Sequence, residues 1–168
     1  RKIMTAAAKA RLTAIIVAAG GGTRMGGEVE KQFRLFAGKP VLAHSVEAFL
    51  QHPATERVVV VAAETRMDTA KAAIGDLAGD ERVLITAGGD RRQDSVRAGL
   101  ALAADDAALV AIHDAARPLL PQGIITGLVA AMEESGAHDI MAALPVLPVT
   151  DTLKSVKDDR VTGTTPRA

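Results

Sequence analysis

The sequence predicts a doubly wound α/β domain with a mostly parallel, Rossmann-like sheet and a projecting β-hairpin arm. Five short aliphatic runs alternate along the chain with segments of helical spacing, as is typical of βαβ units. Glycine-rich or charged loops follow several of these runs, and the chain becomes polar and proline-punctuated after residue 144. Its 168 residues, 48% apolar and 24% charged, have the size and composition of one folded domain.

The aliphatic runs are predicted to be buried strands, because parallel strands covered on both faces show no polar alternation. They comprise residues 12–18, 57–63, 82–86, 108–113 and 140–144. Pro40 precedes a helical pattern that runs to Leu50, and Asp94 is predicted to cap a helix that reaches about residue 103. A further helix should open at Pro121 and end at Gly136. Such helices cross over between parallel strands.

We expect three regions: an extension of residues 1–11, the α/β domain of residues 12–144 and the arm of residues 145–168. In the arm, two prolines precede two strand-like segments around the polar turn 157–159, a pattern that indicates an exposed hairpin. Because the sequence starts with Arg1 and stops at Ala168 without a terminating element, we expect it to be part of a longer protein.

Charge and cysteine content narrow the possible partners. Twenty basic residues balance twenty acidic ones, which leaves no excess charge for a nucleic-acid backbone or an anionic membrane surface. No apolar run approaches membrane-spanning length. The chain has no cysteine, which excludes disulfides and thiolate metal sites and fits a reducing compartment. We therefore expect a cytoplasmic protein that binds neither a nucleic-acid polymer nor a membrane.

The loop after the first predicted strand is rich in glycine, because residues 18–27 read AAGGGTRMGG. Successive glycines let backbone N–H groups approach phosphate oxygens, and Arg24 and Lys31 add positive charge. A flexible glycine turn is the alternative, but two cations behind a buried first strand favour phosphate binding. The loop lacks the Gly-Lys-Ser/Thr of a Walker motif and the helix start of a dinucleotide fingerprint, which argues against a dehydrogenase.

Two later loops also follow predicted strands. Residues 88–95 lead into a helix, whose N-terminus attracts anions, although a capped helix with solvated arginines would look the same. Asp114 stands directly after an apolar strand, where a carboxylate suits Mg²⁺ that is shared with substrate phosphates. An aspartate there is also a common turn residue. Adjacent Arg117 and the glycine-rich loop favour the metal.

Together the three loops resemble the 2-C-methyl-D-erythritol 4-phosphate cytidylyltransferases, CTP-dependent nucleotidyltransferases of the non-mevalonate isoprenoid pathway. The resemblance covers nearly all of the chain from Leu12 onward, and residues 31–33, 88–91 with 94–96, 113–118 and 151–154 match this family in order and spacing. The chain departs from the family at Glu30, where proline is usual. Family members also continue beyond Arg167 with further strands and another acidic metal ligand.

The resemblance implies a nucleotidyltransferase fold, transfer of CMP from CTP to 2-C-methyl-D-erythritol 4-phosphate with release of pyrophosphate, and a homodimer joined through the arm. It implies that Arg24 and Lys31 are catalytic and that Asp114 binds Mg²⁺ or another divalent cation. The residues implied for CTP are Ala18, Ala19, Gly20, Gly21, Gly22, Gly89, Asp90, Arg91 and Ser95. Those implied for the sugar-alcohol phosphate are Asp114, Arg117, Thr152 and Arg167.

Two alternatives stay open at this point. One is a pentitol-phosphate cytidylyltransferase of the same superfamily, whose third loop usually lacks the double alanine found here at Ala115 and Ala116. The other is a nucleotide-binding domain without turnover, which the missing C-terminal segment suggests.

Overall fold

Four parallel strands form the central sheet of the computed structural model, which describes residues 11–20, 29–104, 107–134 and 141–166. The described residues form eight strands in all, four of which make up this sheet. They are β1 (Leu12–Val17), β2 (Leu35–Phe36), β3 (Lys39–Pro40), β4 (Thr55–Ala62), β5 (Val83–Ala87), β6 (Leu109–Asp114), β7 (Lys154–Lys157) and β8 (Arg160–Thr164). The α-helices are α1 (Val41–Leu50), α2 (Met67–Ile74), α3 (Arg92–Leu100) and α4 (Gln122–Glu134). Short 3-10 helices are formed by Lys31–Phe33, Glu64–Arg66 and Gly75–Gly79. Within the described ranges, no helix has the length and apolar character needed to cross a bilayer.

The sheet has the strand order β5-β4-β1-β6, and all neighbouring strands are parallel. The chain moves outward from β1 to β4 and β5 and then returns across β1 to form β6, so the strand order reverses between β1 and β6. Val17 pairs with Asp114, which places the carboxyl ends of these two strands side by side. Ligands bind at such a reversal in open α/β sheets. The predicted mostly parallel α/β fold is confirmed.

Alternate residues of β1 face opposite sides of the sheet and belong to two apolar clusters. On one side Ile16 shares a cluster with Val46 of α1 and Ile125 of α4. On the other side Ile15 packs with two valines of β4 against Ala98 of α3. Helices therefore cover both faces, which explains why these strands consist of uninterrupted aliphatic residues.

Most predicted elements agree with the structure to within two residues at each end, including the first four strands and α1. The predicted cap at Asp94 is wrong, because α3 already begins at Arg92 and the extended residue Arg91 occupies the N-cap position. Asp94 instead lies in the first turn and accepts hydrogen bonds from the Arg91 guanidinium. Helix α2 is an element that the sequence analysis does not single out. The predicted end of α4 at Gly136 lies outside the described residues.

The fifth predicted strand is wrong for residues 141–144, which form no strand, while Ile140 lies outside the described residues. Met141 is 91% exposed, and Leu144 is also exposed. A core strand needs a neighbouring strand and cover on both faces, and an aliphatic run alone cannot supply either. Among the described residues β6 forms the edge of the sheet, and its Val110 and Ile112 are exposed.

The arm contains the predicted hairpin. Strands β7 and β8 pair antiparallel around Asp158 and Asp159, whose φ angles are 49° and 58°. Two successive positive φ angles define the type I′ turn, whose twist matches that of the flanking strands. Val156 and Val161 are register partners, and both are exposed. The hairpin therefore presents an apolar pair to solvent.

Gly99 marks a close contact between α3 and the sheet. A Cβ atom there would lie 2.5 Å from Cγ2 of the fully buried Ile15 and 3.1 Å from Cγ2 of Val61. Alanine is favoured over glycine in helices by about 1 kcal/mol, but displacing packed core atoms costs about 1 to 3 kcal/mol. We expect Gly99→Ala to lower the free energy of unfolding by up to about 2 kcal/mol in urea titrations.

Gly127 in α4 provides the matched control, because no atom lies within 4 Å of a Cβ built there. Gly127→Ala should raise the free energy of unfolding by up to about 1 kcal/mol. A stabilising effect of Gly99→Ala would contradict the close packing of α3 on β1.

Candidate active site

A pocket of about 470 Å³ lies at the carboxyl ends of the strands, beside the reversal between β1 and β6. It is lined by residues of all three loops that the sequence analysis singles out, together with the 3-10 helix Lys31–Phe33. The lining residues are numbers 17–20, 31, 32, 89–92, 95 and 114–117. Loops that are distant in sequence meet here because parallel strands end at the same edge of the sheet.

The pocket brings together most of the predicted site residues that the structure describes. Those that line it are Ala18, Ala19, Gly20, Lys31, Gly89, Asp90, Arg91, Ser95, Asp114 and Arg117. Thr152 does not line it and lies in the exposed segment before β7. Four predicted residues lie outside the described ranges: Gly21, Gly22, Arg24 and Arg167.

The start of the glycine-rich loop, Ala18 to Gly20, is called its stem here. It is held by hydrogen bonds from a side chain next to Lys31. Gln32 is only 2% exposed, and its Nε2 donates to the carbonyl oxygens of Ala18 at 3.0 Å and Gly20 at 3.2 Å. The backbone N–H of Ala18 donates to the Val61 carbonyl at 2.7 Å, which ties the same stem to β4. Gln32 is not among the predicted binding residues, although its place beside Lys31 in a family motif was a signal for it.

The second loop lies against the first at Gly88. A Cβ atom at this position would lie 2.5 Å from Oγ of Ser95 and 3.0 Å from Cβ of Ala19, so a larger residue would push the two loops apart. The N–H of Gly88 donates to the Ala62 carbonyl at 2.7 Å. Ser95 is buried, and its Oγ donates to the Gly89 carbonyl at 3.4 Å. The second loop is thus fixed between the end of β4 and the start of α3.

Asp114 is the centre of an ionic cluster in the pocket. Its Oδ1 accepts hydrogen bonds from Nε and Nη2 of Arg92 at 3.2 and 3.0 Å, and its Oδ2 accepts one from Nε of Arg117 at 3.2 Å. Burial alone would raise the pKa of the Asp114 carboxyl, but the hydrogen bonds and charges of the two guanidinium groups outweigh it and lower that pKa. The carboxylate is therefore ionised at neutral pH. Arg92 is a pocket cation that the predicted site omits.

His113 supports the turn that carries Asp114 and Arg117. Its ring packs edge-on against Phe49 with 5.4 Å between centroids, and its Nε2 lies 3.1 Å from the Arg117 carbonyl oxygen. Burial lowers the pKa of His113, and the neighbouring carbonyl only partly offsets this. The neutral ring donates its Nε2–H to the Arg117 carbonyl in the tautomer that fits this contact.

The pocket has an excess of positive charge. Its charged side chains are Lys31, Arg91, Arg92, Arg117, Asp90 and Asp114. Among the described lining residues the four cations outnumber the two carboxylates, although Arg91 is paired with Asp94. The N-terminus of α3 adds its partial positive charge. This arrangement suits an anionic ligand that carries several negative charges, such as a nucleoside triphosphate.

Asp114 offers one carboxylate to a divalent cation that is shared with a ligand, although both its oxygens accept hydrogen bonds from arginines here. The side chain of Asp114 is 40% exposed in the pocket. Within the described part of the chain, no three His, Cys, Asp or Glu side chains come close enough to hold a metal by themselves. Mg²⁺ commonly takes one or two carboxylates and completes its shell with water and substrate phosphate oxygens. Asp114 can serve as such a carboxylate.

Sequence comparison identifies relatives over almost the whole chain. The family model of IspD, 2-C-methyl-D-erythritol 4-phosphate cytidylyltransferase, matches residues 12–168. The bifunctional enzyme IspD/IspF of Rhizorhabdus wittichii is 46% identical over 155 residues, which cover 92% of this chain and 37% of that protein. The 2-C-methyl-D-erythritol 4-phosphate cytidylyltransferase of Frankia casuarinae is 40% identical over 161 residues, which cover 95% of this chain and 57% of that protein. The chain thus spans less than two thirds of either relative.

The solved structure of 4-diphosphocytidyl-2C-methyl-D-erythritol synthase from Anaerococcus prevotii is similar in fold. It matches with a TM-score of 0.76 at 22% identity, over 95% of this chain and 65% of that one. At this identity the likeness supports the fold alone. One assignment follows from the pocket at the carboxyl ends of β1 and β6, the three loops that line it and the family match over residues 12–168. The chain belongs to the IspD family of 2-C-methyl-D-erythritol 4-phosphate cytidylyltransferases.

Proposed function

We propose that the complete protein transfers CMP from CTP to 2-C-methyl-D-erythritol 4-phosphate and releases pyrophosphate. The observation that carries this proposal is that one basic pocket joins Lys31, the stem of the glycine-rich loop and Asp114 in a chain of this family. A phosphate oxygen of the sugar-alcohol phosphate attacks the α-phosphorus of CTP and forms a new P–O bond. The bond from the α-phosphorus to the bridging oxygen breaks, and pyrophosphate leaves with that electron pair.

The chain's own residues contribute position and charge to this reaction. Phosphoryl-type transfer needs no protein nucleophile, because its barrier falls when the reactants are aligned and the developing charge is neutralised. In our proposal the Lys31 ammonium and the Arg24 guanidinium stabilise the charge that builds up around the α-phosphorus. Asp114 would hold Mg²⁺ or another divalent cation, which neutralises phosphate charge when bound.

The remaining pocket residues would select the two substrates. The loop of Gly89, Asp90, Arg91 and Ser95 would hold the cytidine part of CTP. Arg117 would face the phosphate of the sugar alcohol, with Thr152 and Arg167 supplied by the arm. No observation favours a pentitol phosphate as the acceptor.

Pyrophosphate release tests this function. The full-length protein is incubated with CTP, Mg²⁺ and either 2-C-methyl-D-erythritol 4-phosphate or ribitol phosphate. We expect turnover that depends on both CTP and the methylerythritol phosphate and is much slower with ribitol phosphate. Calorimetric binding of CTP without pyrophosphate release would instead identify a nucleotide-binding domain without turnover.

We also propose that the protein is a cytoplasmic homodimer joined through the arm, without a nucleic-acid polymer or a membrane as partner. The absence of cysteine fits a reducing compartment. The hairpin presents Val156 and Val161 to solvent, and Leu147 and Val149 before it are also exposed. Pairing with a two-fold-related copy would bury these side chains and satisfy the free strand edges. The arm would then complete the partner's acceptor site.

Subunit complementation tests this dimer. If the arm acts on the partner's site, Lys31→Ala and Arg167→Ala disable different contributions to the same site. Mixing the two full-length variants with subunit exchange should restore roughly a quarter of the sites, because half of the dimers are mixed and each repairs one site. Pyrophosphate release is compared with that of each variant alone. Verified exchange without any rescue would show that Arg167 serves its own subunit or no site.

A further inference from the structure

Glu30, Gln32 and Arg66 form a chain of hydrogen bonds beside Lys31. Oε2 of Glu30 accepts a hydrogen bond from Nε2 of Gln32 at 2.7 Å, and Oε1 of Glu30 accepts one from Nε of Arg66 at 3.0 Å. The same Gln32 amide contacts the carbonyl oxygens of the glycine-rich loop stem. Because Arg66 belongs to the 3-10 helix after β4, this chain connects the ends of β1 and β4 to the segment that carries Lys31.

Burial increases along this chain towards the pocket. The Arg66 side chain is 50% exposed and that of Glu30 is 20% exposed, whereas Gln32 is almost fully buried. Only Gln32 lines the pocket, so Glu30 and Arg66 can reach a bound ligand only through their effect on Gln32 and Lys31. A charged acceptor gives Gln32 a stronger and more directional hydrogen bond than a neutral one. The chain of Glu30, Gln32 and Arg66, called the clamp below, positions the residues beside it rather than binding a ligand itself.

The backbone of Glu30 has a conformation that a proline ring would fix. Its φ of −59° and ψ of 141° lie where a proline ring would hold the residue. A glutamate lacks the ring that fixes this φ angle. We propose that the Glu30–Arg66 ion pair supplies the restraint that proline would supply, and that Arg66 is thereby a remote positioning residue for Lys31. This proposal rests on the proposed cytidylyl transfer.

Arg66→Ala in the full-length protein tests the clamp. We expect kcat to fall about tenfold, because a small displacement of a catalytic group has a large effect on rate. The KM values and the urea midpoint should change little, since a half-exposed ion pair contributes little to global stability. Glu64→Gln is the matched control, because Glu64 is an exposed charged residue of the same 3-10 helix. It should leave kcat unchanged.

Rescue by proline separates positioning from a general loss of charge. In a Glu30→Pro background, Arg66→Ala should have no effect on kcat, because the ring restrains residue 30 without the guanidinium. A tenfold loss that persists in that background would overturn the proposal, and so would an Arg66→Ala variant with wild-type kcat.

Amide hydrogen exchange gives a readout that does not depend on turnover. The amides of residues 31–34 should exchange faster in Arg66→Ala than in the wild type, and their wild-type rates should return in Glu30→Pro/Arg66→Ala. If these changes occur while the wild type releases no pyrophosphate, the clamp stands and the proposed cytidylyl transfer fails. If exchange in this segment is identical in the wild type and Arg66→Ala, the clamp is overturned whatever the activity.

Discussion

Lys31→Ala in the complete protein is expected to lower kcat by roughly 10²-fold or more, with a much smaller change in the KM for CTP. Lys31 lines the pocket beside the loop stem that Gln32 holds. Negative charge around the α-phosphorus grows as the reaction proceeds, so a cation aimed at it stabilises the transition state more than the bound substrate. The same split between kcat and KM is expected for Arg24→Ala.

Steady-state rates of pyrophosphate release at varied CTP check this prediction. Lys39→Ala is the matched control, because Lys39 lies outside the pocket and its Nζ pairs with Glu47 Oε2 at 2.6 Å. It should retain wild-type kcat. An effect of Lys31→Ala that is confined to KM, with normal kcat, would assign Lys31 to substrate binding alone.

Asp114→Asn is expected to lower activity at fixed Mg²⁺ by roughly 10²-fold, because loss of the negative charge weakens a metal contribution that amounts to several kcal/mol. The change keeps the size of the side chain. The arginine partners of Asp114 are largely exposed, so their ion pairs contribute at most about 1 kcal/mol each and the variant should fold. Activity is measured across a Mg²⁺ titration.

Asp80→Asn serves as the control for this titration. Asp80 pairs with Arg82 just before β5, outside the pocket, so the variant removes a carboxylate with an arginine partner without touching the proposed site. Its Mg²⁺ dependence should match the wild type after correction for folded protein. If the Mg²⁺ dependence of Asp114→Asn is unaltered, the metal assignment is refuted.

The elements that the sequence predicts well are those whose burial is uniform. The run of valines in β4 is buried on both faces, and its apolar character alone indicates a strand. The similar run at residues 141–144 is largely exposed, and hydrophobicity alone does not reveal whether another element covers a segment. Helix α3 begins at Arg92, two residues before the predicted cap, and Asp94 pairs with Arg91 instead of capping the backbone.

The sequence likewise predicts some features of the candidate site and not others. Lys31 and Asp114 could be placed in one pocket from sequence, since residues that follow parallel strands meet at one edge of the sheet. The partners of these residues could not be predicted, because they depend on side-chain directions in three dimensions. Arg92 reaches Asp114 from the start of another helix, and Gln32 turns a buried amide back towards Ala18. These contacts depend on how the folded loops lie relative to one another.

The pairing of β1 with β6 has a consequence for how the domain is made. During synthesis, β1, β4 and β5 can associate as soon as the third of these strands has left the ribosome, whereas Val17 must wait for Asp114, far later in the chain. Contacts between distant residues form late because closing a long loop is entropically costly. The nascent chain would therefore form three of the four strands of the sheet before it forms the pocket, and competence to bind a ligand would be one of the last properties to emerge.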